Sequence, residues 1–450
     1  MAIRTWALPN VRRLAKEFSI MATGQAIVLV ASVLAVKVLT VTLARAEYGR
    51  LALGMTLAML LNQLVFGPLT LALMRYYAIC AERNQQRDLA RVAAEASGVL
   101  ALIVIVVGVP ICWLISRGLG TGWLVILTGM LIYGIGYSVQ GYFGALFSAA
   151  RRRASAAASQ LVDPLVRLGG GMTAAQLVPH SAGAVAWAFA AAMLTAVGIQ
   201  ARSYWRSLPP QSALAAERKA LRIKLWNYGK YFLLWGAFAW MQSSGDRWAL
   251  KTYVGDAAVG IYAYAFQLAS IPALVIAGAI PQFLNPIIFQ RAGDATDVER
   301  RNASVRVTVL GVGLLTILTI GAAGIAKWFG EPIAVTFASS QFREAGQYIW
   351  ILIFGLGAVQ IGNMVAMIPL ALNRLRGHVV VKILTGVITV GINFYAAEKF
   401  GVRGVVVANV VCGLIYCALT TANSLRLLTT RHVGNFGTTT PLNREELTDG

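Results

Sequence analysis

The segment FSIMATGQAIVLVASVLAVKVLTVTL, residues 18–43, decides the fold class of this chain. A helix needs about 20 apolar residues to cross a bilayer, and Lys37 is the one charge in this run. Eleven more apolar runs follow, so the sequence predicts an all-α polytopic membrane protein with about 12 transmembrane helices. The twelve runs are 18–43, 51–76, 92–115, 122–147, 156–178, 182–201, 226–250, 259–289, 305–326, 345–372, 379–397 and 404–425.

The composition excludes a soluble globular protein. Hydrophobic residues make up 58% of the 450 residues and charged residues 13%, against about 45–50% and about 25% in soluble domains. The formal net charge is +21, but the basic residues are scattered over short loops, so we expect no nucleic-acid partner. With 4 cysteines, none in a CxxC pair, and 3 histidines, the chain indicates neither a disulfide framework nor a metal site, and we expect no cofactor.

Lysine and arginine collect in alternate loops. The N-terminal tail and every second loop after it hold about 28 of the 39 Lys and Arg residues, against about 9 in the opposing loops. Because cytoplasmic loops carry the excess of positive charge, we expect a multi-pass membrane protein with both termini in the cytoplasm.

An internal repeat divides the chain. Gly49 opens the second span and Gly260 opens the eighth, 211 positions later, and a second pair of glycines has the same offset. Together with the matching hydropathy, this favours two pseudo-symmetric six-helix lobes in parallel orientation, an architecture of transporters. The predicted domains are residues 1–224, with the basic N-terminal tail and a cytoplasmic linker, and residues 225–450, with a short cytoplasmic tail.

Several local motifs resemble those of one transporter family. The stretches SGDRWAL (244–250) and VGIYAYA (259–265) resemble the seventh-to-eighth helix signature of Wzx-type polysaccharide flippases. EYG (47–49) and FGP (66–68), leading to MRY (74–76), resemble the first hairpin of the same family. These flippases belong to the multidrug/oligosaccharidyl-lipid/polysaccharide (MOP) exporter superfamily.

The resemblance implies a location in the bacterial inner membrane and a function in cell-surface polysaccharide biosynthesis. A lipid-linked oligosaccharide, typically on undecaprenyl pyrophosphate, would be moved from the inner to the outer leaflet by alternating access between the lobes. Coupling to a proton or sodium gradient and association with other polysaccharide-assembly membrane proteins both stay open. The alternatives are a drug or lipid II exporter of the same superfamily, or a membrane-embedded glycan polymerase or ligase. The latter would present paired carboxylates on a sizeable external loop, which the sequence lacks, so we expect no enzymatic activity and no catalytic residues.

A pyrophosphate headgroup must cross about 30 Å of hydrocarbon, so cationic residues inside spans are the first site candidates. Arg167 lies about 16 Å into the fifth predicted span, where facing lipid would cost about 2.5 to 3.5 kcal/mol. Asp163 precedes it by four residues, on the same helix face. The couple is either an internal ion pair that holds the helix in register or a substrate and coupling-ion site, in which protonated Asp163 releases Arg167 to the pyrophosphate.

Five more residues complete the predicted site. Lys37 is a candidate for phosphate contact, or a side chain that snorkels to the interface. Arg247 is a second phosphate candidate, and Asp246 beside it a candidate for ion coupling; adjacent residues lie about 100° apart on a helix and cannot pair face to face. Arg75 is either a substrate contact or a topology marker at a helix end. Gln63 is either a sugar contact or an interhelical hydrogen-bonding residue.

Overall fold

The computed structural model describes residues 11–120, 122–150, 152–208, 215–230, 232–292, 298–372 and 374–429. The greater part of the predicted N-terminal and C-terminal tails lies outside these residues. The helices are α1 (Val11–Thr42), α2 (Arg45–Leu60), α3 (Gly67–Glu82), α4 (Gln86–Leu119), α5 (Gly122–Ala149), α6 (Arg153–Leu177), α7 (Ala182–Arg206), α8 (Ala215–Gly229), α9 (Phe232–Tyr253), α10 (Asp256–Ala292), α11 (Val298–Phe337), α12 (Gly346–Val365), α13 (Met367–Ala371) and α14 (Leu375–Thr429).

These helices bear out the predicted fold class. Within the described part, eight helical stretches are long and apolar enough to cross a membrane. One of them, Gly377–Thr429, is broken at Gly401, where φ is +60° and ψ is −140°, and therefore provides two spans. With α6, α9 and α10, each of 22 residues or more, the described chain holds about twelve spans. The prediction of an all-α polytopic membrane protein is confirmed.

The connections between helices fall at two ends of the bundle. We call one the basic end, because Arg83, Arg152 and the Lys and Arg residues of α8 lie there; it holds the connections α3–α4, α5–α6, α7–α9, α10–α11 and α13–α14. The opposite end holds the connections α1–α2, α4–α5, α6–α7, α9–α10 and α11–α12, and the break at Gly401. The short helix α8 packs against α3 and α4 at the basic end.

The second span is a continuous but irregular helix. A π-helical turn, Leu61–Phe66, joins α2 to α3, and such turns widen a helix locally. Helix α9 packs closely here, since a Cβ added to Gly236 would lie 2.2 Å from the carbonyl oxygen of Gln63. The indole nitrogen of Trp240 donates to the carbonyl oxygen of Thr56 at 2.7 Å. These contacts hold the start of the second predicted domain against α2 and α3.

The two glycines of the sequence repeat touch each other at the opposite end. A Cβ added to Gly49 would lie 2.0 Å from the carbonyl oxygen of Asp256, and one added to Gly260 would lie 2.1 Å from the carbonyl oxygen of Arg45. Gly49 corresponds to Gly260 and Arg45 to Asp256 under the 211-residue offset, so each glycine–carbonyl contact is the counterpart of the other. The contact between α2 and α10 therefore has local two-fold symmetry. This supports the proposed division into two halves, although the predicted boundary after residue 224 falls inside α8.

Candidate functional site

A cavity lies between the proposed halves. It has a volume of about 910 Å³, part of which is open to the surroundings of the protein. Its walls come from α1, α2, α5 and α6 on one side and from α9 and α10 on the other. The charged residues in this wall, as far as the structure describes it, are Asp163, Arg167 and Arg247. Tyr137 and Gln267 add polar groups. The cavity therefore brings together cations from both halves.

Asp163 and Arg167 form an ion pair on α6. The guanidinium donates from its terminal nitrogen to Asp163 Oδ2 at 2.5 Å and from Nε to Oδ1 at 3.1 Å, a bidentate arrangement that fixes both side chains. The hydroxyl of Tyr133 on α5 also donates to Asp163. Both charged side chains keep some exposure to the cavity, 17% for Asp163 and 23% for Arg167. Arg167 is thus largely neutralised within its own half.

Arg247 on α9 has no carboxylate partner in the part of the chain that the structure describes. Its guanidinium is buried, with 9% of the residue exposed, and no carboxylate oxygen among the described residues lies within 4 Å of it. Its contacts are the carbonyl oxygen of Ser243 at 3.3 Å and the ring of Phe266, 4.8 Å from the guanidinium carbon. A buried guanidinium without an anion is costly, so the cavity is suited to an anionic ligand at this point.

Asp246 faces away from the guanidinium of Arg247. Its Oδ1 accepts the backbone N–H of Arg247 at 2.7 Å, and its Oδ2 accepts the hydroxyl of Tyr262 at 2.5 Å. The amide nitrogen of Asn409 lies 3.5 Å from the same hydroxyl. Asp246 is 3% exposed and does not line the cavity. It therefore forms a separate buried polar cluster inside the second half.

The remaining sequence candidates lie apart from this centre. Lys37 is exposed on α1 while its neighbours Val36 and Leu39 line the cavity. Arg75 is exposed on α3 toward the basic end. Gln63 lies half-buried in the π-helical turn, and its Oε1 has no hydrogen-bond partner among the described residues. None of the three is in the cavity wall that the structure describes.

A group of charges that sequence reasoning missed closes the opposite end. Arg50 Nε donates to Asp256 Oδ2 at 2.8 Å, and Arg50 also pairs with Glu47 at 2.8 Å. Lys251 Nζ lies 2.6 Å from Asp256 Oδ1. We call Glu47, Arg50, Lys251 and Asp256 the closing cluster. It joins α2 of the first half to α9 and α10 of the second, beside the contact between the two repeat glycines.

A second feature is a polar stripe on the first half of α14. His378, Lys382, Thr385, Thr389 and Asn393 follow each other at intervals of three or four residues, so they share one helix face. All but Lys382 are buried, and Lys382 is half-buried. Four of the five residues, Lys382 to Asn393, lie in the predicted span 379–397, and their spacing indicates a polar interior surface.

Comparison with known proteins identifies one matching family. A family model described as "Polysaccharide biosynthesis protein" matches residues 14–292. No curated protein matches the chain.

Solved structures share the fold. An inward-facing multidrug resistance MATE family transporter of the MOP superfamily matches with a TM-score of 0.72 and 12% identity, over 89% of this chain and 94% of that chain. The lipid II flippase MurJ, in an inward closed conformation, matches with a TM-score of 0.68 and 12% identity, over 94% of each chain. An outward-facing MATE family transporter matches with a TM-score of 0.61 and 12% identity, over 93% of this chain and 95% of that chain.

Proposed function

The chain belongs to the polysaccharide biosynthesis protein family and has the fold of MOP-superfamily transporters, and from this we propose that it is a flippase for a lipid-linked oligosaccharide. The substrate would carry its glycan on undecaprenyl pyrophosphate and be moved from the inner to the outer leaflet of the bacterial inner membrane. The product would serve the assembly of a cell-surface polysaccharide such as exopolysaccharide or lipopolysaccharide.

One observation carries the proposal: the cavity between the halves holds a buried guanidinium that has no carboxylate partner among the described residues. Arg247 supplies it, and Arg167 adds a second guanidinium that is held by Asp163. The formal charge of the described wall is therefore positive. A pyrophosphate supplies the oxyanions that such donors bind in bidentate geometry. The prenyl tail stays in lipid, because only the polar headgroup gains from a polar cavity.

Transport would proceed by alternating access. In the present conformation the closing cluster and the contact between Gly49 and Gly260 join the halves at the opposite end. Opening that end requires the Arg50–Asp256 pair to separate, since its two members belong to different halves. Because cytoplasmic loops are rich in Lys and Arg, we assign the basic end and both termini to the cytoplasm.

Ion coupling would involve Asp163 and Asp246. Protonation of Asp163 removes the partner of Arg167 and leaves the guanidinium free for a phosphate oxygen. Asp246, on α9, is a buried acidic group of the second half, and the hydroxyl of Tyr262 donates to it. Whether the coupling ion is a proton or sodium, a coupled mechanism requires that its binding favours one of the two conformations over the other.

A lipid II exporter is the second candidate, supported by the structural similarity to a lipid II flippase at a TM-score of 0.68. Export of cationic drugs is disfavoured, because the guanidinium of Arg247 repels a cation that enters the cavity.

The test is a deletion strain complemented with variants. Loss of a flippase leaves lipid-linked repeat units in the inner leaflet. The wild-type gene should restore the surface glycan, Arg247→Met should not, and Arg247→Lys should restore part of it because the charge is kept. Accumulation of single flipped units in the outer leaflet would instead identify a polymerase. Accumulation of lipid II would identify the second candidate, and drug sensitivity without a glycan defect would identify an efflux pump.

A further inference from the structure

A second cation that has no carboxylate partner among the described residues lies in the second half, away from the cavity described above. Lys382 on α14 is half-buried, and no carboxylate of the described chain lies within 4 Å of its ammonium. Its Nζ sits 3.9 Å from the ring centre of Tyr416, which is fully buried. The ammonium is therefore directed into the bundle and held there by a cation–π contact, instead of extending to the membrane surface.

Two amides are connected to the same tyrosine. The hydroxyl of Tyr416 donates to Asn363 Oδ1 at 2.8 Å, and Asn363 Nδ2 lies 3.1 Å from Gln360 Oε1. Asn363 is exposed and Gln360 half-exposed on α12. Amides and an ammonium exposed to acyl chains are disfavoured, so this surface of the second half is expected to face water.

The cluster has more donors than acceptors. Both amide oxygens accept internal hydrogen bonds, whereas the ammonium and the amide of Gln360 keep N–H groups with no acceptor in the described chain. One turn nearer the basic end, His378 is buried with its Nδ1 unpartnered among the described residues. A site of this kind needs a ligand that supplies acceptors, and the positive charge favours an anionic one.

The depth of Lys382 separates it from the central cations. Lys382 lies seven residues, or about 10 Å, from the basic-end start of α14, whereas Arg167 and Arg247 lie about 21 and 22 Å from the starts of α6 and α9. Counted along the helices, Lys382 is therefore about 11 Å closer to the basic-end start of its helix than the two arginines are to theirs.

We propose that Lys382, Asn363 and Gln360 form a second subsite for an oxyanion of the transported headgroup, placed between the basic end and the central cavity. This inference rests on the proposed function, because it takes the ligand from the same substrate. The oxyanion is either the pyrophosphate or the carboxylate of an acidic sugar, which the same donors bind.

The test measures binding of two probes, inorganic pyrophosphate and glucuronate, to the purified full-length protein by ligand-induced thermal stabilisation. Lys382→Met should weaken binding of one probe about tenfold or more. Loss with pyrophosphate identifies the phosphate as the ligand, and loss with glucuronate identifies an acidic sugar. The matched control is Lys399→Met on the same helix, since Lys399 is exposed and paired with Glu398.

The melting temperature without probe separates a ligand site from a structural role. If Lys382 belongs to a ligand subsite, Lys382→Met should leave the melting temperature unchanged or raise it, because an unneutralised charge is removed. A lower melting temperature together with unchanged probe binding would indicate a structural lysine and overturn the inference. Wild-type binding of both probes by Lys382→Met, or no binding by the wild type itself, would also overturn it. Arg247→Met tests the proposed function separately. If pyrophosphate binding is lost in Arg247→Met but not in Lys382→Met, the second subsite is refuted and the flippase proposal is retained.

Discussion

The contact between Gly49 and Gly260 offers the sharpest test of the mechanism. An alanine at position 49 would place its Cβ 2.0 Å from the Asp256 carbonyl oxygen, where ordinary contact begins at 3.4 Å. Helices α2 and α10 must then move apart by about 1.4 Å at this point, and such overpacking costs about 1–3 kcal/mol. The cost falls only on the conformation in which the two helices touch.

Gly49→Ala should therefore shift the population toward the conformation that is open at the opposite end. A penalty of about 1–3 kcal/mol corresponds to a shift of about 5–150-fold in the ratio of the two states. The assay places a cysteine at Ser32, which lines the cavity, in a chain whose four native cysteines are replaced. We expect a membrane-impermeant thiol reagent applied from outside the cell to label Ser32→Cys faster when Gly49→Ala is also present.

Two controls make the result interpretable. Gly98→Ala on α4 adds a Cβ that meets nothing within 4 Å, so it should leave the labelling rate unchanged. Gly260→Ala should act like Gly49→Ala, because the contact is reciprocal. Equal labelling of wild type and both repeat-glycine variants, in protein that folds normally, would refute the view that this contact closes the cavity.

Three further predictions follow from the charges. Arg50→Met and Asp256→Asn, made singly and together, should speed the labelling of Ser32→Cys from outside, and the double variant should gain less than the sum of the two single changes in a double-mutant cycle; additive effects would mean that the pair does not join the halves. Arg247→Met should lower glycan export about 10–100-fold, while Arg247→Lys should retain more export, as measured by surface glycan in the complemented strain. Equal export by both variants would mean that the guanidinium does not contact the substrate. Asp163→Asn should abolish the dependence of transport on the proton gradient in vesicles; an unchanged dependence would exclude Asp163 as the coupling group.

The sequence was sufficient for the fold class because hydropathy is a local property. A window of about 20 residues is enough to recognise a span, whatever that span packs against. The pairing of Asp163 with Arg167 was predictable for the same reason, since the helix itself places residues four apart on one face. The repeat glycines were visible as a 211-residue offset. Their mutual contact was not, because an offset gives the symmetry of two segments and not the distance between them.

The environments of individual charged side chains could not be predicted from the sequence. Whether Arg247 is neutralised depends on where the carboxylate of Asp246 points, and Tyr262, sixteen residues away, draws that carboxylate into its own hydrogen bond. The environment of Lys382 could not be predicted either, because the ring that its ammonium contacts belongs to Tyr416, on the far side of the Gly401 break. Lys37 and Arg75 lie in or near predicted spans but are exposed outside the cavity.

The distribution of charge differs between the halves in a way that bears on how an anion would be held. The first half contributes Arg167 to the cavity together with its own counter-charge, Asp163, so its net contribution is near zero. In the second half the neighbouring acid and base of α9 do not pair. Asp246 accepts a hydrogen bond from Tyr262, while Arg247 faces the cavity without a carboxylate partner in the described chain. Because an anion is attracted by uncompensated charge, the second half supplies most of the electrostatic attraction. Protonating Asp163 would change only the first half, adding attraction there and leaving that of Arg247 in place.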